Sequence, residues 1–130
     1  MSEATELIVD LLARGHAVRF RAAGDSMHPI IRGDDYLHVV PASDARIQRG
    51  DVVLTLADRG LTAHRVVIAK GESLITRGDN APMNDSPVAR ASVLGVVTHA
   101  ERDGRKRRVR RATSVGLIVR RTFARLTARS

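Results

Sequence analysis

Between residues 16 and 100 the apolar residues come in short β-branched runs, and that rhythm limits the fold more than any other feature of the chain. The runs are "HAVRF", "DYLHVVP", "GDVVLTL", "GLTAHRVVIA", "ESLITRG" and "ASVLGVVTHA", punctuated by Gly, Pro, Asp and Asn. Alternating β-branched residues suit a pleated surface, and closely spaced turns favour antiparallel neighbours. The pattern predicts a mainly β domain over residues 16–100, a small antiparallel barrel-like sheet. Residues 1–15 read as an amphipathic helix instead. Leu7, Ile8, Leu11 and Leu12 share a face at helical spacing, Ser2 can cap the start and Gly15 the end. Residues 101–130 read as a basic hairpin or linker followed by a second amphipathic helix over residues 113–129. There Val115, Ile118, Val119, Phe123 and Leu126 share a face, and Arg120, Arg121, Arg125 and Arg129 lie mostly off it.

With 130 residues the chain fits one compact domain that can bury a core. Tyr36, Phe20 and Phe123 are the only aromatics, so that core must be built from Val, Ile, Leu and Ala. The absence of cysteine excludes a disulfide scaffold, a thiolate metal site and a cysteine nucleophile. No segment approaches the roughly 20 apolar residues of a membrane-spanning helix. The acidic start lacks the features of a secretory signal, so the expected location is cytoplasmic. Arg-Gly-Asp occurs three times, at residues 32–34, 49–51 and 77–79. Gly-Asp is favoured in tight turns, and two copies lead into strand-like runs, so these are read as turn punctuation rather than adhesion motifs.

The chemistry centres on "RAAGDSMHPII", where Ser26 sits between Gly24-Asp25 and Met27-His28-Pro29. One reading is a decorated turn. The other is a nucleophile, which needs a base to take the hydroxyl proton and donors to stabilise the oxyanion. An unperturbed histidine titrates near about 6.5 and is largely neutral at pH 7, which makes His64, on a strand-like run, a candidate to accept that proton. Lys70 and Lys106 are the only lysines. Either would need its ordinary value of about 10.4 lowered by about 3 units, roughly 4 kcal/mol of environment. Histidine is the better base. Asp79 and Asp85, in "TRGDNAPMNDSPV", are the candidates for a third group that orients the imidazole; alone, either could be a loop-capping carboxylate.

Taken together, "GDSMHPIIRGD", "GDVVL", "AHRVV" and "TRGDNAPMND" resemble, in order and spacing, the type I signal peptidase superfamily, across roughly residues 18–97. The likeness is greatest to its Ser-His endoplasmic-reticulum and archaeal branch. It implies a fold of the signal peptidase and LexA type, with Ser26 as nucleophile, His64 as base, Asp79 as a required acid and Asp85 as third triad member. The residues around the nucleophile, Gly24, Asp25, Met27 and Pro29, would then meet substrate. No metal or cofactor is called for. Two features depart from the family box. Gly24 stands where a hydroxyl commonly helps the oxyanion, and a missing donor costs about 3–4 kcal/mol of transition-state stabilisation. Asp25 is similar instead to the LexA-like autopeptidases, which use lysine and carry a DNA-binding domain.

The net charge of +8 belongs to the tail. Residues 1–100 hold 11 Lys/Arg against 12 Asp/Glu, whereas residues 101–130 hold 11 against 2. One reading is a solvated extension whose helix packs on the β domain. The other is attachment to an anionic membrane surface through the arginines between Arg102 and Arg129, each contributing about 1 kcal/mol near the lipids. Nucleic acid is the weakest candidate partner, given so few aromatics and a body near neutrality. The expectation is a serine endopeptidase acting on a peptide or protein substrate. The alternative is an inactive peptide-binding or regulatory protein on the same scaffold.

Overall fold

The computed structural model describes residues 1–58 and 60–112; the second helix expected over residues 113–129 lies outside the described residues. Helix α1 spans Glu3–Ala13. The strands are β1 (Val18–Arg21), β2 (Tyr36–Pro41), β3 (Val52–Ala57), β4 (Gly60–Lys70), β5 (Ser73–Arg77), β6 (Val88–Ala89), β7 (Gly95–Arg102) and β8 (Arg105–Arg108). They form one antiparallel sheet in the order β1-β2-β7-β3-β4-β5-β6, with β8 paired to β7. The mainly β, antiparallel architecture is the one that the alternating runs predict.

Helix α1 begins and ends on the residues its sequence offers. Ser2 accepts the Thr5 N–H at 3.1 Å, and Gly15 turns the chain out at a φ of 89°. Its apolar stripe is narrower than the spacing suggests. Leu12 is buried, but Leu7 is 57 % exposed. The helix meets the sheet at β1 and β2, with Ile8 packed beside Leu12 on the larger apolar cluster and Leu7 left in water.

Two apolar clusters hold the sheet. The larger joins Leu12, Met27, Ile31, Leu37, Val39, Val52, Leu54, Val97 and Ala100, with Phe20 packed against it. The smaller joins Ile47, Val53, Val66, Leu74 and Val93. Both are aliphatic, as three aromatics in the chain require.

The charge change at residue 100 falls inside β7. A two-residue turn at Asp103-Gly104 sends the chain back as β8, whose four basic residues are all exposed. Beyond it the chain straps across the sheet. The Val109 N–H bonds the Thr98 carbonyl at 2.9 Å, and the Ala112 N–H bonds the Gly50 carbonyl at 3.2 Å. Several basic side chains of this region are anchored. Arg102 makes two bonds to Asp35 at 2.7 and 2.8 Å, and Arg111 meets Asp51 at 2.6 Å. Arg107 reaches Asp35 and the Ile30 carbonyl. Burial alone would raise the Asp35 carboxyl, but Arg102, the Arg32 N–H and the Arg107 charge outweigh it and hold the group below its ordinary value. No helix among the described residues is long and apolar enough to cross a membrane.

Candidate active site

Strand β4 is long enough to pair with β3 through its first half and β5 through its second. His64 faces Val53 on one side, and its neighbour Arg65 faces Arg77 on the other. The imidazole is thereby fixed near the sheet centre, with 14 % of its side chain exposed. Ser26 comes from the irregular segment between β1 and β2. That segment is held from inside by Met27 and Ile31, both 4 % exposed, and from the other side by the loop after β5. The Asn80 N–H bonds the Ser26 carbonyl at 2.8 Å, Asn80 Nδ2 bonds the Asp25 carbonyl at 3.2 Å, and the Asp79 N–H meets Met27 Sδ at 3.3 Å.

These supports bring three side chains into line. Ser26 Oγ lies 3.1 Å from His64 Nε2, and His64 Nδ1 lies 2.6 Å from Asp85 Oδ2. A carboxylate only accepts, so Nδ1 carries the ring proton, and Nε2 is left with its lone pair toward the serine hydroxyl. That tautomer can take a proton from Ser26. Asp85 Oδ2 also accepts from Thr76 Oγ1 at 2.8 Å, and the Asp85 N–H bonds the Thr76 carbonyl at 2.8 Å.

The serine opens on a cleft of about 760 Å³. Its walls are mostly apolar, with Phe20, Ile31, Leu37, Leu54, Leu61 and Ala63 among them, and Ala4, Thr5 and Ile8 of α1 at the rim. Gly24, Asp25 and Met27 line it beside Ser26. Pro29 is exposed and outside this lining, following a cis peptide bond with His28.

Asp79 serves a different group from Asp85. Its carboxylate receives Arg65 Nε and Nη2 at 2.8 Å each, with 1 % of either side chain exposed. Arg65 Nη1 bonds the carbonyls of Gly50 at 2.8 Å and Arg110 at 2.9 Å. The pair thus ties the base-bearing strand to the loop that braces Ser26 and to the strap after β8.

Sequence reasoning passed over three residues here. Arg65 lies in the His-Arg pair, but nothing local says that its guanidinium is buried. Thr76 left a clearer trace: alternation along β5 places it on the inward face with Leu74, and an inward hydroxyl requires a partner. Gly78 is constrained by close approach. A Cβ there would lie 2.5 Å from the Ser26 carbonyl oxygen and 3.2 Å from His64 Nε2.

A family model described as Peptidase S24-like matches residues 2–98. No curated protein and no solved structure matches the chain. The matched stretch contains the turn bearing Ser26, the strand bearing His64 and the loop bearing Asp79 and Asp85. The chain belongs to the Peptidase S24-like family, within the superfamily that includes LexA and the type I signal peptidases.

Proposed function

We propose that this protein is a serine endopeptidase of the Ser-His type, close in chemistry to the endoplasmic-reticulum and archaeal signal peptidases. The observation that carries the reading is the unbroken hydrogen-bonded line from Ser26 through His64 to Asp85, at the edge of a cleft that can hold a peptide. A peptide carbonyl seated beside Ser26 is attacked by Oγ as His64 Nε2 takes the hydroxyl proton. Asp85 holds the ring and stabilises its charged form. The Ser26 N–H, with no hydroxyl available from Gly24, helps to stabilise the oxyanion. The imidazolium then protonates the leaving amine as the peptide C–N bond breaks. Water attacks the acyl-enzyme, giving its proton to His64, which returns it to Ser26 Oγ as the acyl–oxygen bond breaks and the acid product leaves. Gly24, Asp25 and Met27 border the substrate, and an extended substrate would add as a strand along a sheet edge.

Lysine is the base in LexA-like relatives, so a histidine in hydrogen-bond reach of the serine is what supports assignment to the Ser-His branch. The partners are a peptide or protein substrate and an anionic membrane surface, met by the basic residues between Arg102 and Arg129, of which the four in β8 are exposed. A serine-directed phosphonate probe tests the peptidase. Labelling of wild type but not of Ser26→Ala or His64→Ala is expected. Absence of labelling at any pH between about 6 and 9 would favour a peptide-binding protein without turnover. Sedimentation with liposomes tests the surface, and equal recovery on anionic and neutral lipid would remove it.

A further inference from the structure

Thr76 points inward from β5 and is only 5 % exposed. A hydroxyl taken out of water needs a hydrogen-bond partner, and Thr76 Oγ1 finds it in Asp85 Oδ2 at 2.8 Å. That same oxygen receives the His64 Nδ1 proton at 2.6 Å. The Thr76 carbonyl also accepts the Asp85 N–H at 2.8 Å. One residue therefore grips Asp85 at its main chain and at its carboxylate.

The grip matters because the rest of Asp85 is loosely held. It stands at the end of an irregular loop, and 38 % of its side chain is exposed. A carboxylate with that access to water has other rotamers open to it, in which the imidazole loses its partner. Strand pairing supplies the restraint. Thr76 lies opposite Val66, and His64 precedes Val66 by two residues on the same face of β4. The sheet register thus sets both donors around one acceptor before any loop residue is considered.

We propose that Thr76 is a positioning residue of the site, holding Asp85 Oδ2 toward His64 so that charge developing on the ring is met without reorientation. The proposal rests on the triad reading given above. The Thr76 hydroxyl keeps its proton throughout and touches neither substrate nor the reacting atoms. A hydrogen bond to an ionised acceptor is about twice as strong as one between neutral groups, which suits it to this task.

The test uses the full chain with Thr76→Val, which keeps the branched shape without the hydroxyl, and Thr76→Ser, which restores it. The first readout is the downfield proton resonance of His64 Nδ1, which needs no turnover. Thr76→Val should displace or broaden it, and Thr76→Ser should leave it in place. The second is peptide hydrolysis. Thr76→Val should lower kcat about tenfold with KM changed less, and Thr76→Ser should recover most of the loss. In an Asp85→Ala background Thr76→Val should have no further effect. Should the valine variant not fold, Thr76→Ala carries the same expectations. An unmoved resonance, or an equal loss of kcat with and without Asp85, would overturn the proposal. A wild-type chain that binds peptides without cleaving them would sink the peptidase reading alone, and the resonance would still decide for or against Thr76.

Discussion

Arg65 and Asp79 form a two-bond fork closed off from solvent, with Nε and Nη2 each 2.8 Å from a different carboxylate oxygen. Taking two charges out of water is expensive, and the pair is retained only while each satisfies the other. Asp79→Asn should therefore destabilise the fold by about 3–5 kcal/mol, read from denaturant unfolding. Arg65→Lys should also lose stability, since an ammonium cannot reproduce the planar fork or reach the Gly50 and Arg110 carbonyls together. The double variant Arg65→Met with Asp79→Leu should be less destabilised than either single loss. Strict additivity of the two would contradict this account.

Asp85 gives the opposite profile. Its side chain is 38 % exposed, and its carboxylate oxygen meets the imidazole and the Thr76 hydroxyl, from which an amide oxygen can still accept. Asp85→Asn should leave the unfolding midpoint near that of wild type while lowering kcat by about 10³–10⁴-fold, because an amide can favour the wrong ring tautomer. Ser26→Ala, His64→Ala and their combination should cost nearly the same activity, since the groups act as one unit. Losses that multiply in the double variant would show that they do not.

How far these features could be read in the sequence depended on how local their causes are. Alternation and turn chemistry are local, so β1 to β5 and β7 are legible from their runs. Strand β6 is two residues long and carries no period. Strand β8 has no apolar face, and its place comes from pairing with β7 after the Asp103-Gly104 turn. The order of motifs singles out Ser26, His64 and Asp85, whose separations of 38 and 21 residues leave only folding to bring them together. The resemblance marks Asp79 as an acid of the site without naming Arg65 as its partner, because a buried arginine looks like any other in a list of residues. The basic run after residue 101 likewise conceals that Arg102, Arg107 and Arg111 meet Asp35 and Asp51, acids 60 or more positions earlier.

Gly78 separates packing from chemistry. An added Cβ would meet the Ser26 carbonyl oxygen at 2.5 Å, a backbone atom that cannot turn away. Gly78→Ala must move the nucleophile-bearing segment or the loop after β5. We expect a loss of about 1–3 kcal/mol in stability, typical of overpacking. Phosphonate labelling of Ser26 should slow by more than that loss of folded protein explains. Labelling at the wild-type rate would mean that the two segments part without disturbing the hydroxyl.

Glu101 sets an acid-side dependence of stability. Hydrogen bonds from Arg19 and then His38 lower its carboxyl from an ordinary 4.5 to about 2. The folded protein therefore binds this proton more weakly than the unfolded chain does. The stability that follows is complete above pH 4.5 and is lost as pH falls toward about 2. Glu101→Gln cannot titrate, so its thermal midpoint should lie below wild type near neutrality, and the difference should shrink through that window. Asp35 is also held low and titrates in both proteins, so its contribution largely cancels in the comparison. Two midpoint curves that stay parallel down to about pH 2 would show that the Arg19 and His38 contacts do not persist in solution.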